Sequence, residues 1–295
     1  MPSLKEIRNR INSVRSTQQI TKAMKMVAAA KLRKAQDAIT RMRPYSNMLE
    51  GILNNLTEST PKEELNSPFF EVRTPKNVLI ITITSDRGLC GAFNANVLKM
   101  ALQMAQDKYT TQYASGQVTF LAIGNKANDF WRIRKVNYNA EFSTILQQLN
   151  FVKVKEAGEY ILNAFAKGEY DRVEIVYNEF KNVATQIVRA KQFLPIIAEE
   201  NTQANAKNTR DYLLEPSKET LITELIPKTL KVKLYSAILD SNASEQGARM
   251  MAMDKATENA EELVKQLLLT YNKTRQAAIT KEILEIVGGA EALKG

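Results

Sequence analysis

Between Leu4 and Arg43 the chain has neither glycine nor proline, and between Lys228 and Val287 it has no proline and a single glycine, Gly247. Both stretches are rich in Ala, Leu, Lys, Met and Gln, residues that lose little on entering a helix. Sixty residues of unbroken helix measure about 90 Å, far more than a helix of an ordinary globular domain. Such a helix draws most of its stability from packing along its flank rather than from propensity. The two stretches lie at opposite ends of one chain, so they are expected to pair with each other, antiparallel.

The N-terminal stretch shows how. Leu4, Ile7, Ile11 and Val14, then Ala28, Leu32, Ala35, Ile39 and Met42, then Leu49, Leu53 and Leu56 follow alternating steps of three and four, the period of a coiled-coil seam. Polar residues stand at Gln18, Thr21 and Lys25, where the seam is expected to break and the helix pair to turn outward. Pro44 falls inside the run, but the same phase resumes after it, which predicts a bend at most. In the C-terminal stretch the repeat runs Leu230, Leu234, Ala237, Ser241, Ser244, Ala248 and Met251, then slips by one residue to Ala252, Ala256, Leu263 and Leu267. Its small residues permit a close approach, and Gly288 and Gly289 are expected to end it.

Between the two stretches the period changes. NVLIITITS (77–85), QVTFLAI (117–123), VNYNAEF (136–142), RVEIVYN (172–178) and ATQIVRAKQFLPI (184–196) are short runs rich in β-branched and aromatic residues. Helical stretches near 92–109, 124–133 and 147–167 alternate with them, which predicts a three-layer, Rossmann-like α/β domain with a mainly parallel sheet. The expected fold is therefore α/β: a long antiparallel coiled coil of N- and C-terminal helices, over 1–57 and 209–288, with a central domain over 72–197. The polar run AEENTQANAKNTRD (198–211) links that domain to the last helix.

Composition removes several chemistries. The chain has no histidine, so it holds no Ser-His-Asp triad, no Cys-His dyad and no histidine-ligated zinc. Its single cysteine, Cys90, forms no internal disulfide and suits a reducing compartment. No window approaches 18 consecutive apolar residues, and MPSLKEIRNR lacks the apolar core of a secretory signal.

Three motifs invite a chemical reading, and each has a plainer one. TSDRGLCGAFN (84–94) follows the first strand and opens a helix, where a glycine loop could cradle phosphate. It offers only GxxG at Gly88 and Gly91, so the alternative is a tight strand-to-helix turn with Cys90 packed beneath it. Glu258, Glu261 and Glu262 cluster, but their spacing suits a solvated helix face better than a buried acid–base pair. Met24, Met26, Met250, Met251 and Met253 could line a ligand pocket or serve as adaptable packing. No catalytic residue, cofactor or metal ligand is assigned.

The charge is concentrated in one segment. Residues 1–43 hold eleven Lys or Arg against Glu6 and Asp37, which accounts for the whole net charge of +9. Within ITKAMKMVAAAKLRK (20–34), Lys22, Lys25, Lys31, Arg33 and Lys34 are threaded among Ile20, Met24, Met26 and Val27, so oily and basic residues do not separate into two faces. An acidic partner for this segment is the natural inference. One alternative is a basic coiled-coil protein that binds nucleic acid. Against it, residues 1–44 contain no aromatic residue for stacking, and the basic stretch lies inside the seam rather than beyond it.

Four blocks together resemble the gamma subunit of the F-type ATP synthase: IRNRINSVRSTQQITKAMKMVAAAKLRKAQ (7–36), TSDRGLCGAFN, SEQGARMMAMDKATENA (244–260) and YNKTRQAAITKEILEIVGGAEA (271–292). In the last block Ile279, Thr280, Glu282, Glu285, Gly289 and Ala290 match the family's C-terminal signature. DYLLEP (211–216) departs from it, with leucine at 214 where many relatives carry an aromatic. The resemblance implies a rotor shaft that hydrolyses nothing itself. It would stand inside a ring of alpha and beta subunits, with its foot on the c-subunit ring beside epsilon. Lys22, Met24, Lys25, Lys31, Arg33 and Lys34, with Arg275 and Gln276, would then meet the beta subunits, and Tyr212 and Glu215 the c ring or epsilon. A bacterial plasma membrane, cytoplasmic side, is the implied location. A mitochondrial one is disfavoured because no transit peptide precedes the first helix.

Overall fold

A computed structural model of the chain describes residues 3–58, 67–183, 185–197 and 218–292. Its contacts divide it into two compact units, Ala30–Ala248 and Met1–Ala29 with Arg249–Gly295. Two long helices, α1 (Leu4–Glu58) and α6 (Lys218–Ala292), contribute to both.

The larger unit is built on a five-stranded sheet of β1 (Val78–Ile83), β2 (Val118–Ile123), β3 (Tyr138–Asn139), β4 (Arg172–Phe180) and β5 (Gln186–Leu194). The order is β3-β2-β1-β4-β5; all neighbours are parallel except β4 and β5. Parallel strands buried on both faces need apolar residues at successive positions, and all six residues of β1 are buried. Leu79, Ile81 and Ile83 point to one face, where they meet α5 (Phe151–Ala166) through Val154, Ile161 and Phe165, and α6 through Ile226, Leu230 and Leu234. Val78 and Ile80 point to the other, against α2 (Phe93–Asp107) and α4 (Asn125–Arg134). A short helix, α3 (Thr110–Ala114), follows α2 and was not foreseen.

Trp131 of α4 anchors that second face. It is fully buried and stacks on Phe120 at 3.8 Å between ring centroids, while its indole N–H donates to Thr82 Oγ1 at 3.1 Å. Trp131→Ala is expected to lower the unfolding free energy by about 3–5 kcal/mol. Trp131→Phe, which mainly forfeits the hydrogen bond, should cost about 1–2 kcal/mol. Urea denaturation followed by circular dichroism distinguishes them.

The smaller unit pairs the start of α1 with the end of α6. A reciprocal box opens α1: Ser3 N donates to Glu6 Oε2 at 2.9 Å and Glu6 N to Ser3 Oγ at 3.2 Å. Antiparallel pairing follows from the cross-helix contacts, in which partners run in opposite order: Arg8 with Tyr271, Thr21 with Thr257, Lys25 with Asp254.

Several expectations require correction. The α1 seam does not break at Gln18, Thr21 and Lys25: Thr21 is buried at 8% exposure and bonded across to Thr257 Oγ1 at 2.8 Å. A polar residue occupies a seam position when its partner is polar too. On α6 the inward positions are Met253, Ala260 and Val264, whereas Met251 is 38% exposed. Pro227 lies inside the helix, within the range expected for it, and Ile226, Leu230 and Leu234 are buried on both sides of the missing N–H. Gly288 and Gly289 do not end it; α6 runs on to Ala292, with helix formers on both sides of the pair. The third strand is confined to Tyr138–Asn139, a half-buried edge of the sheet.

Candidate functional site

In the smaller unit the outward side of α1 is oily and basic together. Ile20, Met26 and Val27 are exposed although apolar, and Lys22 is exposed beside them, while Met24 is half-buried. In the larger unit Lys31, Arg33 and Lys34 of the same helix are exposed and Leu32 is buried. Among the described residues no carboxylate lies within 4.0 Å of Lys22, Lys31, Arg33 or Lys34, so these charges face solvent unneutralised. Lys25 differs from them. Its ammonium is bonded to Asp254 Oδ1 on α6, with the two side chains 40% and 37% exposed.

No described residue covers the far end of α6. Arg275 and Gln276 are exposed, and every residue from Ile279 to Glu291 is exposed as well. Ile279, Ile283, Leu284, Ile286 and Val287 are among them, an apolar surface of the kind that marks an interaction site. Tyr212 and Glu215 lie outside the described residues.

The loop after β1 resolves into the turn reading. Leu89 (φ 64°) and Gly91 (φ 60°) take left-handed backbone, whereas Gly88 has an ordinary φ and open space around it. Ser85 N donates to Asn94 Oδ1 at 2.9 Å, Ser85 Oγ to the Arg87 carbonyl at 2.7 Å, and Asn94 Nδ2 to Cys90 Sγ at 3.2 Å. Cys90 is buried beneath. The polar groups of the turn thus satisfy one another. Glu258, Glu261 and Glu262 are solvated, the first two in ion pairs with Lys255 and Lys265. Met253 is core, while Met26 and Met251 are surface.

Sequence reasoning missed a groove in the larger unit, about 550 Å³ in volume, between α1, α6 and the β4–β5 ribbon. Three ion pairs line it: Arg43 with Asp240 at 3.0 Å, Arg189 with Glu179 at 2.7 Å, and Lys233 with Glu50 at 2.9 Å. Arg43 and Asp240 stand 197 residues apart and Lys233 and Glu50 183, too far to be matched by spacing, whereas Arg189 and Glu179 meet across the β4–β5 ribbon. Burial pushes the Tyr177 hydroxyl up to about 12, with the charge of Asp240 adding to it. Burial likewise raises the Asp240 carboxyl above its ordinary range, against the opposing bond from Arg43.

That shift has a definite sign. The unfolded Asp240 ionises at its ordinary value and the folded one at a higher pH, so between the two the folded chain binds more protons and stability falls as pH rises. Asp240→Asn is therefore expected to leave stability at pH 7 equal or higher, since Arg43 is 48% exposed and its charge returns to water. The difference from wild type should shrink as the pH drops below the ordinary aspartate value. Thermal melts across pH 3–8 check this; a lower melting point for the variant at pH 7 would mean that the ion pair outweighs the burial cost.

A family model described as ATP synthase matches residues 3–293. The chain is 56% identical over 294 residues to the ATP synthase gamma chain of Cytophaga hutchinsonii, covering 99% of each, and 54% identical over 295 residues to that of Flavobacterium psychrophilum, covering 100% of each. Among solved structures it is similar to a chain of the Euglena gracilis mitochondrial ATP synthase, with a TM-score of 0.66 at 23% identity over 98% of this chain and 94% of that one. A chain of the Tetrahymena thermophila mitochondrial ATP synthase central stalk and c ring gives a TM-score of 0.56 at 24% identity, over 80% of this chain and 99% of that one.

Proposed function

The chain belongs to the ATP synthase gamma chain family, and we infer that it works as the non-catalytic rotor, the central stalk of that machine. Ion flow turns the c ring, the paired helices turn with it, and their uneven surface drives the catalytic sites of the alpha and beta subunits through their states in turn. Catalysis resides in those partners. Epsilon sits beside the foot, and Tyr212 and Glu215 remain the proposed contacts there. No described helix is long and apolar enough to cross a membrane; the chain joins the bacterial plasma membrane, on its cytoplasmic side, through the complex.

The observation that carries this reading is a pair of antiparallel end helices whose outer surface mixes unneutralised cations with exposed apolar residues. A shaft meeting equivalent subunits in succession must not be held fast by any one of them. Flexible Lys and Met side chains give contacts that re-form at each step, and each exposed charge pair contributes only a modest, screened attraction. Lys22, Met24, Lys31, Arg33 and Lys34, with Arg275 and Gln276, make up this contact set; Lys25 is already engaged by Asp254.

The test is reconstitution. Mixed with purified alpha and beta subunits, the chain should stimulate ATP hydrolysis while hydrolysing none alone. Absence of stimulation in a complex that has assembled would overturn the reading. The nucleic-acid alternative requires steep salt-dependent binding to duplex DNA.

A further inference from the structure

Stepping by three and four from Ile7, Ile11 and Val14 to Ala28 passes through Gln18, Thr21 and Lys25, so these polar residues stand where seam residues belong. Two of them, Thr21 and Lys25, are partnered across the pair. Thr21 Oγ1 and Thr257 Oγ1 lie 2.8 Å apart, either able to donate to the other, and each hydroxyl also reaches a carbonyl of its own helix, Gln18 at 3.0 Å and Met253 at 2.7 Å. One turn further along, the Lys25 ammonium meets Asp254. Arg8 donates to Tyr271 Oη at 3.3 Å and lies 5.9 Å from its ring centroid, and from that pair to Lys25–Asp254 each helix advances by the same seventeen residues, in opposite directions. A single stagger therefore serves all these directional contacts.

We propose that Thr21, Lys25, Asp254 and Thr257 form a register lock: positioning residues that fix the stagger of α1 on α6 in this unit. On this assignment Lys25 serves its own chain rather than a partner subunit. The neighbouring seam, made of Ile7, Ile11, Ala28, Met253, Ala260 and Val264, cannot do this alone. Apolar contacts are not directional, and a seam that repeats every heptad accepts a slip of one heptad with little loss. Such a slip carries Asp254 about 10 Å from Lys25, the rise of seven helical residues, and sets the Thr21 hydroxyl opposite Met250 or Val264. A slip one way brings Glu261 to Lys25 but leaves the Thr21 hydroxyl against Val264, and a slip the other way leaves Lys25 against Gly247 and Thr21 against Met250, so the polar layer taken together is matched only in the native alignment. The functional consequence rests on the rotor reading: a slip would move the exposed end of α6 by the same distance relative to the start of α1.

Spin labels decide it. In the full chain with Cys90→Ser, cysteines placed at the exposed positions Arg10 and Glu258 are labelled, and their separation is measured by double electron–electron resonance. The labels are offset along the axis, so a heptad slip changes their axial separation by about 10 Å. The otherwise native chain should give one narrow distance. Lys25→Asp and Asp254→Lys should each add a second distance, and the exchange variant carrying both should return to one. In reconstituted synthase, ATP-driven pumping should fall with Lys25→Asp and recover when Asp254→Lys is added.

A single distance in both separate variants would overturn the lock, as would a pumping loss from Lys25→Asp that Asp254→Lys does not rescue. If a separate variant fails to fold, the exchange variant still decides: one distance supports the lock, and two overturn it. The distance measurement needs no partner subunit. A failed lock thus leaves the rotor reading standing, and a failed reconstitution leaves the lock standing.

Discussion

Replacing Gly124 with alanine is expected to lower the unfolding free energy by about 3–5 kcal/mol, from a strained backbone and an overpacked contact together. The residue joins β2 to α4 with φ at 97°, a conformation that L side chains rarely adopt. A Cβ there would lie 2.4 Å from the carbonyl oxygen of Thr84, a main-chain atom that no rotamer change can move. Nor is the backbone free to shift. Thr84 N donates to the Ile123 carbonyl, Gly124 N to the Ser143 carbonyl, Lys126 N to the Ser85 carbonyl and Ala127 N to Thr84 Oγ1. Moving the junction would break bonds between β1, β2 and α4 at once. Gly88 supplies the control, because it has an ordinary φ and nothing within 4 Å of its would-be Cβ. Gly88→Ala should change stability by less than about 0.5 kcal/mol. Urea unfolding followed through the fluorescence of Trp131, the only tryptophan, compares the two.

The largest functional effect is expected from replacing Lys22, Lys31, Arg33 and Lys34 together with glutamine. Each is exposed and lacks a carboxylate within reach among the described residues, so the fold should tolerate the change. Exposed charge pairs contribute roughly 0.2–1 kcal/mol apiece, so four should weaken the proposed hold on the beta subunits by about 1–4 kcal/mol, or roughly 5- to 700-fold. ATP-driven pumping in reconstituted vesicles should then fall relative to hydrolysis. The native complex should also lose part of its coupling as salt rises, while the variant should be nearly indifferent to it. Unchanged pumping at equal assembly would remove these cations from the coupling contact.

The fold was legible where burial is continuous. β1, β2 and β4 announce themselves as runs of Val, Ile, Leu and Phe because a sheet covered on both faces demands apolar side chains at every position. Legibility failed where tertiary context overrides local preference. Thr21 should break an apolar seam, yet it is buried there because the second helix supplies Thr257 as a polar partner. Tyr138–Asn139 lies at an edge, where little burial is at stake and strand limits are weakly specified.

The proposed contact face was half legible. Exposure of Lys22, Lys31, Arg33 and Lys34 follows from their spacing around α1, since each falls off the three-four seam. Lys25 falls on it, and its partner stands 229 residues away, so its charge looked like its neighbours' until the second helix was in place. Tracing Met253, Thr257, Ala260 and Val264 at the same period would have put Asp254 beside it.

The bare last turns of α6 have a practical meaning. Every residue from Lys281 to Glu291 is exposed, so the amides of this stretch should exchange with deuterated water within seconds, as in a fraying peptide. Seated in a sleeve that excludes solvent, the same amides should slow by orders of magnitude. Deuterium uptake in that single peptide would thus report, without any label, what fraction of the chains in a preparation has found its housing.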